Sequence, residues 1–197
     1  MANVNIANVD NLIFSESDYI NFDCGVPKLN EVLINRITPN GNGYERTNRM
    51  LVLTENHRVV AYMVYSLDRV RLAKDIIKTE EEKIPVLKIN FIAVDKHSAR
   101  EGYGTYLINF AFRIMNTISP FVELKGVFLE ALEEAVPFYE EKVGFENLNA
   151  TQYDLYKDSS FPETDDHPRT YQMYINDMKI LLFSDIFPPL DYSLDYI

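Results

Sequence analysis

Ten residues, PVLKINFIAV (85–94), form an almost unbroken apolar run rich in β-branched side chains. A strand of that composition is stable only when both of its faces are covered, so the run predicts a central strand with other elements packed around it. AREGYG (99–104) follows, with two of the chain's seven glycines. Next comes YLINFAFRIMNTI (106–118), which places Leu107, Phe110, Ala111 and Ile114 on one helical face. The order strand, glycine-bearing turn, helix makes an anion cradle: a helix N-terminus presents unpaired N–H groups and a partial positive charge, and glycine lets phosphate oxygens approach the backbone. The turn lacks the GK[ST] of a nucleotide-triphosphate loop, and its GYG is too short for the three-glycine dinucleotide fingerprint.

The other elements read around this centre. NLIFS predicts a short first strand near residues 12–15, and VPKLNEVLINRI (26–37) an amphipathic helix with Pro27 in its first turn. TPNGNGYERTN (38–48) has loop composition, and RMLVLTE and RVVAYMVYSLD flank a tight turn as a hairpin. LAKDIIKTEEEKI (72–84) is a helix or a charged excursion. VELKGVFLEAL (122–132) predicts the next strand and EEAVPFYEEKV a helix, with Pro137 in its first turn and Gly144 as C-terminal cap. KDSSFPETDDHPRT (157–170) reads as loop, YQMYIN as a strand and IFPPLDYSLDYI as an apolar, acidic tail. Together these give one α/β (α+β) domain over 1–197, a mixed central sheet flanked by helices, with a core of about 10–153 and an acidic extension over 154–197.

Composition narrows the function. Hydrophobic residues are 47 % and charged residues 25 % of the chain, as in ordinary globular proteins. No membrane span or signal peptide is expected, and one cysteine, Cys24, excludes an internal disulfide, which together point to the cytoplasm. Cys24 itself reads as a small packed side chain. The net charge is −11, of which −6 falls in residues 154–197. Such a chain repels phosphate backbones overall, which disfavours tRNA and favours a cationic acceptor such as a polyamine, an aminoglycoside-like compound or a basic peptide.

IAVDKHSAREGYGTYL followed by EEAVPFYEEKVGFE resembles the GCN5-related N-acetyltransferase (GNAT) superfamily over about residues 49–150. The resemblance implies that loop amides of Arg100, Glu101, Gly102, Tyr103, Gly104 and Thr105 bind the pyrophosphate of acetyl-CoA, and that backbone groups of Ile92 and Val94 hold the pantetheine arm. The family's Q/R-x-x-G-x-G/A motif opens here on Ala99, with Arg100 beside it and the acidic Glu101 inside the loop. FDCGVPKLNEVL (22–33) and RTYQMYIN are similar to segments of the acetyltransferase toxins that acetylate aminoacyl-tRNA and are neutralised by a DNA-binding antitoxin.

Acetyl transfer needs a neutral amine, a donor for the developing oxyanion and a proton for the leaving thiolate. The resemblance assigns the proton to Tyr139 and the oxyanion contact to an amide near Ile92. For a general base the residues offer Asn90 on the central strand, or Glu123 or Glu130 on the next one; an amine that arrives already deprotonated needs none. His57, His97 and His167 have no spacing that makes a metal site. The expected activity is direct acetyl transfer from acetyl-CoA to a primary amine, the alternatives being a toxin-like enzyme acting on aminoacyl-tRNA and a non-catalytic module that kept the fold. The acidic tail is left to close the site, to pair with a second subunit in a homodimer or to bind an antitoxin-like protein.

Overall fold

The structure is a computed structural model, and it describes residues 4–8, 14–38, 48–71, 83–149 and 170–182. Its strands are β1 (Val4–Asn8), β2 (Arg49–Glu55), β3 (Arg58–Val70), β4 (Ile84–Val94), β5 (Gly126–Leu132), β6 (Glu146–Asn147) and β7 (Thr170–Asn176). They form one seven-stranded sheet in the order β1-β2-β3-β4-β5-β7-β6. The helices are α1 (Glu16–Tyr19), α2 (Pro27–Ile37) and α3 (Tyr103–Ile118), besides a π-helix over Phe138–Val143 and a final helix over Asp177–Leu182. In this mixed sheet β1–β2, β2–β3, β5–β7 and β6–β7 are antiparallel pairs, and between β4 and β5 the chain passes through α3.

The chain divides into two compact units, one drawn from Met1–Ser66 and Ile89–Phe110, the other from Leu67–Lys88 and Ala111–Pro189. In the first, α2 buries Val32 and Leu33 in a cluster with Phe22, Met50, Val52, Val59, Tyr62, Val64 and Ala93. Pro27 occupies the first turn, where its missing N–H has no intrahelical partner to lose. The Tyr62 hydroxyl, within this cluster, donates to Leu29 O at 2.7 Å, which fixes α2 on the sheet. Between β2 and β3 the two turn residues Asn56 and His57 have φ of 50° and 69°, the left-handed pair that a two-residue hairpin requires.

In the second unit β5 and β7 pair over seven residues, from Gly126↔Asn176 to Leu132↔Thr170. Val70, Val86, Phe128 and Tyr174 form its buried cluster, with Ile84 and Leu148 against them.

Several expectations change. Val4–Asn8 is a strand not foreseen; most of the expected strand NLIFS, residues 11–13, lies outside the described residues, and Ser15 caps α1, its N–H donating to Asp18 Oδ2 at 2.8 Å. Helix α3 begins at Tyr103, three residues early, and takes Gly104 into its first turn. Strand β5 begins only at Gly126, four residues after the expected start. EEAVPFYEEKV is not an α-helix: Glu133–Ala135 make a 3-10 turn, Pro137 cannot donate to continue an i→i−4 ladder, and Phe138–Val143 wind as a π-helix. Gly144 closes it at φ 85°, as expected of a cap. The predicted loop at 39–47, the segment 72–82, residues 157–169 and the tail from 186 lie outside the described residues.

Candidate active site

In the first unit, β4 ends at Val94 with Ile92 and Val94 half-buried and Ala93 turned into the core. A 3-10 turn, Lys96–Ser98, and the exposed Ala99, Arg100 and Glu101 lead into α3. Two residues bend this path. Arg100 has φ 69° and Gly102 φ 90°, so a non-glycine residue lies in the left-handed region two positions before the glycine. A Cβ built on Gly102 would meet nothing within 4 Å, so there is open room beside the backbone. The Tyr106 N–H donates to Gly102 O at 2.9 Å as the first helical bond, and the N–H groups of Tyr103, Gly104 and Thr105 precede it at the positive end of a 16-residue helix. These residues fit a phosphate group. The Tyr103 hydroxyl adds a feature not foreseen from sequence: loss of solvent, then the carboxylates of Glu55 and Glu101 that it bonds, push its pKa up to about 12.

The turn before the loop is fixed by charge. Asp95 is fully buried; its carboxylate accepts from Arg58 Nη2 at 2.9 Å, from His97 N–H at 2.8 Å and from Asp23 N–H at 3.1 Å. Asp23, from the FDCG segment, accepts from Lys96 Nζ at 2.6 Å, Gly25 N–H at 2.8 Å and Asn30 Nδ2 at 3.1 Å. Lys96 above all, then Gly25 and Asn30, hold the Asp23 carboxyl well below the usual carboxylate range. Asn21, Asp23, Arg58, Lys96 and His97 line a shallow cavity of about 540 Å³. Sequence reasoning missed this network; the acidic residue directly after the central strand, together with FDCG, was its signal. Cys24 is half-buried, and its Sγ lies 3.1 Å from Asn30 Oδ1.

The second unit holds Tyr139, 5 % exposed, on the π-helix. Its ring packs edge-on against Phe138 at 5.1 Å and Phe145 at 5.8 Å between centroids. Burial raises the hydroxyl's pKa, so it keeps its proton through neutral and mildly alkaline pH. Glu123 precedes β5, lies exposed and pairs with Lys125 Nζ at 2.6 Å, and Glu130 is exposed on β5. Asn90, in the first unit, donates its side-chain amide to Ser66 Oγ at 2.9 Å. His57 sits in the hairpin turn, His97 is exposed on the 3-10 turn and His167 lies outside the described residues.

Thus Ile92, Val94 and Arg100–Thr105 belong to one unit and Tyr139 to the other. Among the described residues no three His, Cys, Asp or Glu side chains are grouped to hold a metal, and no helix is long and apolar enough to cross a membrane.

No curated protein sequence matches the chain. Among solved structures it is similar to a KacTA–DNA complex (20 % identity, 93 % of this chain and 99 % of that one, TM-score 0.65). It is similar to AtaT complexed with acetyl-methionyl-tRNAfMet (19 %, 92 % and 99 %, TM-score 0.67). A third is a mutant AtaT toxin bound to the C-terminus of the antitoxin AtaR and acetyl-CoA (20 %, 92 % and 99 %, TM-score 0.65). At these identities the likeness is one of fold. The sequence itself decides the family: residues 27–145, more than half of the 197, match the acetyltransferase (GNAT) family, and they contain β4, the glycine turn, α3 and the Tyr139 helix, so the chain belongs to that family.

Proposed function

We propose that the protein transfers the acetyl group of acetyl-CoA to a primary amine by direct attack in a ternary complex, and that the acceptor is the α-amino group of an aminoacyl-tRNA. The observation that carries the donor half is the backbone of Gly102–Thr105, a left-handed glycine with open space opening into a helix N-terminus. Amides of Arg100–Thr105 hold the pyrophosphate, and Ile92 and Val94 flank the pantetheine arm. Acetyl-CoA supplies a thioester already activated toward amines. Tyr139 gives its proton to the departing thiolate as the C–S bond breaks and the C–N bond forms, and an amide near Ile92 meets the developing oxyanion. The acylated nitrogen releases its surplus proton to water, and Tyr139 is reprotonated from solvent.

The acceptor half rests on the acidity of the amine. Strand β4 carries no carboxylate, its Asn90 is neutral, and Glu123 and Glu130 point to solvent on exposed positions. With none of these three candidates placed as a base, the acceptor on this reading loses its proton to water before it binds. An α-amine, with a pKa of about 7.7–8.0, is substantially neutral near pH 7.5, whereas a lysine-like amine near 10.4 is about 0.1 % neutral. Likeness over nearly the whole chain to a toxin complexed with acetyl-methionyl-tRNAfMet supports the same acceptor, and the toxin–antitoxin complex supports a small antitoxin-like protein as partner.

A second reading is favoured by the net charge of −11, which attracts a cationic small amine or peptide. Transfer of labelled acetyl to aminoacyl-tRNA and to spermidine, at low and high salt, separates the two. With aminoacyl-tRNA, kcat/KM is expected to level off above about pH 8 and to fall steeply with added salt. Transfer to spermidine alone, with a rate still climbing toward about pH 10, would replace the first reading by the second.

A further inference from the structure

The Asp95 carboxylate contacts three other segments, through Arg58, His97 and Asp23. We propose that Asp95 is a positioning residue for the acetyl-CoA loop, setting the direction in which Arg100–Thr105 leave the central strand; this rests on the reading of that loop as the pyrophosphate site. Both carboxylate oxygens are used: Oδ1 accepts from Arg58 Nη2 and His97 N–H, and Oδ2 accepts from Asp23 N–H. The backbone of the same residue is held too, with its N–H on Val60 O at 2.8 Å and its C=O accepting from Ser98 N–H at 2.9 Å. A second tie lies outside the first: Lys96 N–H donates to Asp23 O at 2.8 Å while Lys96 Nζ reaches Asp23 Oδ2. Four segments, namely the start of β3, the end of β4, the 3-10 turn and FDCG, therefore meet on two carboxylates.

A fully buried carboxylate such as that of Asp95 is a costly way to stabilise a fold, since apolar residues of similar volume often serve as well. What distinguishes this junction is its position. It ends two residues before Arg100, whose φ of 69° is a conformation that a bulky side chain keeps only where its surroundings over-determine it. The network pins the upstream side of that strained residue, and the helix α3 pins the downstream side. The backbone amides between them are thereby held ready for an anion instead of being ordered at the moment of binding. This also gives the FDCG segment a role: Asp23 extends the clamp, and Asn30 and Gly25 hold Asp23.

The test is Asp95→Asn, a nearly isosteric change that turns an acceptor into a donor facing either Asp23 N–H or the Arg58 and His97 donors. Lys96→Met is the second variant, because it cuts only the outer, exposed tie. For Asp95→Asn the Kd of free CoA by calorimetry and the KM for acetyl-CoA are expected to rise about tenfold, with kcat within about twofold of wild type; for Lys96→Met the rise is about threefold. Hydrogen exchange at the amides of residues 98–105 is expected to quicken in both without any ligand. If both variants fold and bind CoA like wild type with unchanged exchange, Asp95 serves the fold alone and the proposal is overturned. If Asp95→Asn does not fold, unchanged Kd and exchange in Lys96→Met overturn it equally. Wild-type protein that binds no CoA would instead overturn the reading of the loop.

Discussion

Tyr139→Phe is expected to lower kcat by about 10²-fold or more while leaving acetyl-CoA affinity within about threefold, since general acid catalysis is commonly worth 10²–10⁴-fold. The ring stays. Its contacts with Phe138 and Phe145 are made by carbon, and the substitution removes one hydroxyl from a largely apolar site, so the melting temperature should change little. The loss is then chemical rather than structural. The raised pKa of Tyr139 adds a second expectation with a definite sign: its proton is retained above the usual phenol value of about 10, so the wild-type kcat shows no alkaline fall from this group below that pH. An unchanged kcat in the variant would remove Tyr139 from the mechanism.

Gly126→Ala is expected to be the most damaging single methyl group in the described chain. A Cβ there would stand 2.1 Å from the Ile175 carbonyl oxygen and 2.7 Å from Tyr174 Cε2, closer than any real contact. Neither obstacle can step aside easily, because Ile175 and Tyr174 lie in β7, paired with β5 along seven residues, and Tyr174 is in the buried cluster. The strands must part locally, at a cost of about 3 kcal/mol or more out of the 5–15 that stabilise a typical domain. For a protein of this size that lowers Tm by about 6–12 °C, measurable by calorimetry or circular dichroism. Gly25→Ala is the matched control: it has the strained φ of 85° but no neighbour within 4 Å, so its effect should be the smaller. Equal Tm values for the two variants would show that the strand approach is not as close as the structure has it.

The two elements that carry the donor site are also the two most legible in the sequence. An apolar run, then glycine, then a 3.6-residue period describe β4, the turn and α3 almost residue by residue, because each signal is local. The hairpin was equally open, its Asn-His turn lying between two apolar runs, MLVL and VVAYMVY. Strand β1 was not: VNIAN is short and half polar, and it is a strand because Val4–Asn8 pair with Asn-free, largely buried β2. Over six residues periodicity cannot separate a π-helix from an α-helix, so Phe138–Val143 took their winding from Pro137, Gly144 and the packing of three rings. The carboxylates were the hardest. Glu123 and Glu130, weighed as bases, lie exposed, whereas Asp95 is buried by an arginine 37 residues upstream and an aspartate 72 residues upstream, partners that no local pattern announces.

Calorimetric titration of the wild-type protein with acetyl-CoA, set against free CoA, tests the central claim most directly. Binding of both ligands with micromolar constants, weakened by a bulky residue at Gly102, is the result that the backbone of residues 100–105 predicts. No heat at high protein concentration, together with no thermal shift, would mean that Gly102 only shapes a turn and that this member of the family does not use acetyl-CoA.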